Sequence, residues 1–191
     1  MKIIIIGAGP IGILSAIKFG LLNHDIIIYD KRNINQRTRE QIVVLEPSGL
    51  RELPKSVSDS NFFRYTHPID INQSGGIDFS SHAGDKCIQL KYLEKILLLE
   101  AFKFKNIHFI YNNLDVKNIH KIIEDNNNAL ILGCDGFNST VREALNIKTN
   151  EIKIGYGIVG LFKNENSNQR NIKDIKKKTG VNINNIMGFP Q

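Results

Sequence analysis

The sequence predicts an α/β fold built on a parallel sheet, and three observations in its first thirty residues carry that prediction. Lys2-Ile3-Ile4-Ile5-Ile6 is a short apolar run, and Gly7-Ala8-Gly9-Pro10-Ile11-Gly12 follows it without a break. Apolar residues then surround most of a helical surface from Ile13 to Leu22. A second apolar run, Ile26-Ile27-Ile28-Tyr29, ends on an acid, Asp30. Strand, glycine turn, helix, strand and acid in that order define a Rossmann-like, dinucleotide-binding βαβ unit.

Each position in that unit has a physical role. Gly7 permits the tight turn off the first strand, Gly9 lets a pyrophosphate approach the backbone, and Gly12 lets helix and strand pack closely. The helix start, around Ile11, offers free N–H groups and the positive end of a dipole. Asp30 stands close to the roughly 20 residues beyond the glycines where a carboxylate meets a ribose hydroxyl pair.

Composition narrows the class. The 191 residues suffice for one domain, or for one domain and part of another. Hydrophobic residues make up 41% and charged residues 23%, which fits a soluble chain with a real core. A net charge of +6 suits an anionic cofactor. Basic residues are scattered except at Lys176-Lys177-Lys178, read as a solvated helix face, and no nucleic-acid motif is present. Cys87 and Cys134 lie far apart with no C-x-x-C spacing, so neither zinc site nor redox pair is indicated, and no metal is expected. The opening apolar run is too short for a signal segment or a membrane span, and the chain reads as cytoplasmic.

Along the chain, a polar segment from Lys31 to Glu40 precedes a short strand ending at Pro47. Ser48 is the expected N-cap of a brief helix through Leu53. Residues 55–86 read as an irregular insertion. Gln89 to Lys105 has helical spacing, Ile107 to Tyr111 is a strand, and a short helix is expected around Ile119 to Glu124. Ala129 to Leu132 is a buried strand running into Gly133-Cys134-Asp135-Gly136, with a short helix from Val141 to Asn146. Strand material follows at 152–162, and a basic helix at 172–179. The expected division is a nucleotide-binding domain at 1–148 and an incomplete substrate-side, β-rich segment at 149–191.

Gly133-Cys134-Asp135-Gly136-Phe137-Asn138-Ser139-Thr140-Val141-Arg142 resembles the D-G motif, G-x-D-G-x-x-S-x-V-R, of class A flavoprotein monooxygenases, the p-hydroxybenzoate hydroxylase group. Asp30-Lys31-Arg32 resembles the acid-Lys-Arg that follows the family's second strand. Arg39-Glu40-Gln41-Ile42-Val43-Val44-Leu45-Glu46-Pro47 is similar to a segment of the MICAL branch in which an arginine and an amide contact FAD. Cys87 to Glu94 resembles the start of the family's long helix, and Lys178 to Ile186 resembles a piece of the MICAL substrate-side sheet.

The resemblance implies FAD as cofactor and NADPH as reductant. It places Gly7, Gly9, Ile11 and Gly12 at the pyrophosphate, and Asp30, Lys31 and Arg32 at the adenosine end. Arg39 falls at phosphate oxygens, Gln41 at the flavin or ribityl side, Leu114 beside adenine, and Asp135 and Gly136 along the cofactor cleft. The sequence departs from the family by lacking a second acidic motif, G-D, and by carrying Gln89 where arginine is frequent.

No catalytic residue is named. His24, His67, His82, His108 and His120 are isolated, and Ser139 has no G-x-S-x-G elbow. Two readings of function stand at this point. One is an FAD-binding oxidoreductase of the monooxygenase type acting on an unidentified small-molecule or protein substrate, with a second chain as one way to complete the flavin site. The other is a shortened, non-catalytic nucleotide-binding or interaction module.

Overall fold

A computed structural model describes residues 1–65 and 85–149. The strand expected at 152–162, the helix at 172–179 and the middle of the 55–86 insertion fall outside these residues, as does nearly all of the segment assigned to a second domain.

The opening run is strand β1 (Lys2–Ile6), followed by helix α1 (Pro10–Leu21) and strand β2 (Asp25–Asp30). A capped 3-10 turn at Ile34–Gln36 interrupts the polar segment. Then come β3 (Ile42–Leu45), α2 (Pro47–Glu52), α3 (Lys55–Ser58) and β4 (Arg64–Tyr65). After the undescribed stretch follow β5 (Lys86–Gln89), α4 (Leu90–Ala101), β6 (Ile107–Tyr111), α5 (Val116–Glu124), β7 (Leu130–Gly133) and α6 (Thr140–Ala144).

Four strands form one sheet in the order β6-β2-β1-β7, all parallel. This order puts β1 in the interior with a neighbour on each side. Its isoleucines alternate between two faces because successive side chains on a strand point oppositely. Ile3 and Ile5 join a core made with Ile13, Ala16 and Ile17 of α1 and Leu93, Leu97 and Leu98 of α4. Ile4 and Ile6 join a second core with Ile119 of α5 and Val141 and Ala144 of α6. A strand covered on both faces has no polar side, and this is why the run reads as unbroken isoleucine.

A separate antiparallel sheet, β3-β5-β4, pairs Ile42 with Gln89 and Arg64 with Cys87. Ile88 and Val43 tie it to the larger core.

Several local readings are corrected. Glu46, not Ser48, is the N-cap of α2, because Pro47 sets the first helical position where its missing N–H costs nothing. Cys87 and Ile88 lie on strand β5 instead of beginning the long helix, which starts at Leu90 with Gln89 as its N-cap. That helix ends at Ala101. Beyond it, Asn106 donates its amide to the Gly20 and His24 carbonyls and ties α1 to β6. The 55–86 insertion carries α3, β4 and the start of β5.

Candidate dinucleotide-binding site

The site is built where β1, β2 and β7 end side by side. Gly7 leaves β1 with φ +102°, a conformation that favours glycine. Its N–H donates to the Tyr29 carbonyl at 2.7 Å, while Cys134 N–H donates to the Ile6 carbonyl at 2.6 Å. The G-x-G-x-x-G turn and the D-G segment therefore touch. A Cβ on Gly7 would fall 2.5 Å from the Cys134 carbonyl carbon and 2.6 Å from Asp135 Cα. One on Gly12 would overlap the Gly7 carbonyl and lie 3.2 Å from Cys134 Cβ.

Gly9 differs. It is the N-cap of α1 in ordinary extended geometry, φ −73° and ψ −178°, and a Cβ there would meet nothing within 4 Å. No side chain caps this helix, and its first turn holds no acid. Orphan N–H groups and a positive dipole end thus face an open cradle that a side chain would fill, which is what a pyrophosphate needs. The backbone fits the adenosine diphosphate half of FAD. Ile11, 68% exposed, stands at the rim of that helix start.

Asp30 ends β2 with its carboxylate turned inward. Oδ2 accepts from Ala8 N–H and Oδ1 from Arg32 N–H, both at 2.7 Å. Arg32 Nε and Arg37 Nη2 each lie 3.5 Å from Oδ1. Arg37 is fully buried. Its Nη1 donates to the Ala8 carbonyl at 2.6 Å and its Nη2 to the Arg32 carbonyl at 3.0 Å. Behind it stands Glu94 of α4, also fully buried, with Oε1 at 3.3 Å from Arg32 and 3.6 Å from Arg37. Burial pulls the Arg37 guanidinium below its ordinary value; Asp30 and, more weakly, Glu94 oppose this. Sequence reading named Asp30 and Arg32 but missed Arg37 and Glu94.

Arg39 and Gln41 are exposed at their side chains, while their backbone does structural work. The Gln41 carbonyl accepts from Leu90 N–H at 2.7 Å and the Arg39 carbonyl from Lys91 N–H at 2.9 Å, so this segment caps α4. Lys31 is exposed beside Asp30. Leu114 packs against the second core below the β6 end.

The D-G segment is closed on itself. Asp135 accepts from Ser139 Oγ at 2.6 Å and from Val141 N–H at 3.2 Å. Arg142 N–H donates to Ser139 Oγ at 3.1 Å, and the Arg142 guanidinium donates to the Gly136 and Phe137 carbonyls. Gly136 takes φ +91° with open space where a Cβ would stand. The Cys134 thiol is raised above its ordinary value, first by burial and then by Asp135, so it stays protonated at neutral pH. Among the described residues no cluster of three metal-ligating side chains forms, and no helix is long and apolar enough to cross a membrane.

A doubly covered parallel sheet with these two motifs meeting at its carboxyl end, and a small antiparallel sheet beside it, matches the fold of solved FAD-dependent monooxygenases. The comparisons bear this out at the level of individual proteins. The chain is 28% identical over 172 residues to the kynurenine 3-monooxygenase of Anopheles gambiae, covering 76% of this chain and 35% of that one. A tetrameric form of 2-methyl-3-hydroxypyridine-5-carboxylic acid oxygenase superimposes with a TM-score of 0.56 at 19% identity, covering 77% of this chain and 42% of the oxygenase. PqsL, a probable FAD-dependent monooxygenase of Pseudomonas aeruginosa, gives 0.52 at 16% identity, covering 78% and 46%. No family model matches. The chain thus spans between about a third and a half of the length of these relatives.

Proposed function

We propose that this chain binds FAD through its adenosine diphosphate half, as the nucleotide-binding portion of a flavin monooxygenase. The observation that carries the reading is the contact between the G-x-G-x-x-G turn and the D-G segment, Gly7 against Cys134 and Asp135. In this assignment Gly9, Ile11 and Gly12 hold the pyrophosphate with backbone N–H groups. Asp30 receives ribose hydroxyls with the acceptor directions that Ala8 and Arg32 leave open. Arg39, exposed at the surface, reaches phosphate oxygens, Lys31 stands at the adenosine end, and Gln41 falls on the flavin or ribityl side. Gly136 brings bare backbone to the cleft. Bound FAD supplies a redox centre that accepts a hydride from NADPH and passes electrons to oxygen.

In this proposal further contacts to the flavin ring come from the remaining length that the relatives possess or from a second chain. The Arg39-to-Pro47 segment supports a place near the MICAL branch.

A second reading, a nucleotide-binding module without turnover, is favoured by one observation. Ser139 donates to Asp135 and the Arg142 guanidinium donates to the Gly136 and Phe137 carbonyls, so these polar side chains are engaged within the D-G segment.

Purification with added FAD separates the possibilities. The proposal expects a yellow protein whose flavin absorbance is released on denaturation. A colourless chain that cannot be reconstituted would sink it. A yellow chain that takes up no oxygen with NADPH is the module of the second reading.

A further inference from the structure

Two peptide planes flank Ala8, and both are gripped from below by buried charged side chains. The Ala8 N–H, in the Gly7–Ala8 peptide, donates to Asp30 Oδ2 at 2.7 Å. The Ala8 carbonyl, in the Ala8–Gly9 peptide, accepts from Arg37 Nη1 at 2.6 Å. In a trans peptide the N–H points opposite to the C=O. Fixing the Ala8 carbonyl toward Arg37 therefore aims the Gly9 N–H away from Arg37, at a residue where the position of a Cβ is itself open, with nothing within 4 Å. The bond is charge-assisted and dry, so it also polarises that peptide and makes the Gly9 N–H a better donor.

Resting on the dinucleotide reading above, we infer that Arg37 is a positioning residue of the phosphate cradle, holding the Gly9 N–H toward the pyrophosphate without touching it, and that Glu94 holds Arg37. The geometry argues against a merely space-filling arginine. Arg37 makes two bonds to backbone carbonyls 24 positions apart in sequence, Ala8 and Arg32. Glu94 occupies a buried place on α4 among Leu90, Leu93, Leu97 and Leu98, where an apolar residue would otherwise stand. Its carboxylate faces Arg32 and Arg37, and Oε2 has no partner of its own. A buried carboxylate kept in an apolar stripe is explained by the cation it orients.

The test uses the full chain, two probes and three variants. ADP presents a pyrophosphate to the cradle, whereas adenosine presents only the ribose and base. In Arg37→Met, Asp30 keeps Arg32 and the Ala8 N–H, so adenosine affinity should change by less than about twofold. ADP affinity should fall by about tenfold, the size of one lost charge-assisted bond. Arg37→Lys retains the charge but not the fork that spans two carbonyls, and should fall between wild type and Arg37→Met. Glu94→Gln should weaken ADP selectively by a few-fold. If Arg37→Met does not fold, the Lys and Gln variants carry the comparison. Equal losses for ADP and adenosine, or no loss for ADP, would overturn the inference while leaving the cofactor reading intact. A wild-type chain that binds neither FAD nor ADP would overturn both.

Discussion

Gly7, Gly9 and Gly12 share a motif but differ in what a methyl group would meet. At Gly7 it would strike the backbone of Cys134 and Asp135, on a residue already at φ +102°. At Gly12 it would strike the Gly7 carbonyl. Alanine at either position should lower stability by about 2 kcal/mol or more, from backbone strain and overpacking together. Urea unfolding checks this, and a loss below about 0.5 kcal/mol at both would contradict the close approach. The sequence showed that these glycines mattered and in which order. It did not show Arg37, because burial of an arginine in a polar loop leaves no periodic trace. The usable signal was Glu94. It stands four residues after Leu90 and three before Leu97, within the apolar stripe of α4, and a carboxylate there requires a buried cation.

At the scale of elements, strands and helices were legible wherever periodicity was strong. β1, β2, β6 and α4 fall within a few residues of their expected bounds, because burial on both faces or along one stripe dictates their composition. Helix starts were harder to read, since they depend on which residue closes the first turn. Ser48 has a favourable capping side chain, yet Pro47 moves the cap to Glu46. For α5 the start lies earlier than expected, at a reciprocal box in which Asp115 accepts from Asn118 N–H at 2.7 Å and Asn118 Oδ1 accepts from Asp115 N–H at 3.1 Å. Asp115→Ala should therefore cost about 1 kcal/mol in chemical denaturation. FAD affinity should stay within about twofold, because the Asp115 carboxylate is taken up by the Asn118 N–H of its own helix. A large affinity loss with unchanged stability would place α5 in the site. The D-G segment was recognisable as a motif, but its internal bonding was not. Spacing cannot tell a carboxylate that caps a helix from one that faces a ligand.

At the scale of the whole molecule, the sheet order β6-β2-β1-β7 brings residues from positions 7, 30 and 135 to one edge, although they are far apart in sequence. This convergence was legible only through the resemblance, since no local pattern shows that β7 lies against β1. It fits the proposed nucleotide half-site on a chain whose relatives are roughly twice as long. The nucleotide half needs only three adjacent strand ends and one helix start, and all are present among the described residues. Gly9 gives the most direct measurement of the central claim, that this turn is shaped for a ligand and not only for folding. Gly9→Val places a side chain into open space on an ordinary extended backbone, so the melting temperature should move by no more than about 2 °C. FAD titrated into wild type and Gly9→Val, followed by flavin fluorescence, should show affinity lost by more than about tenfold in the variant. Equal FAD affinity in the two proteins would contradict the account.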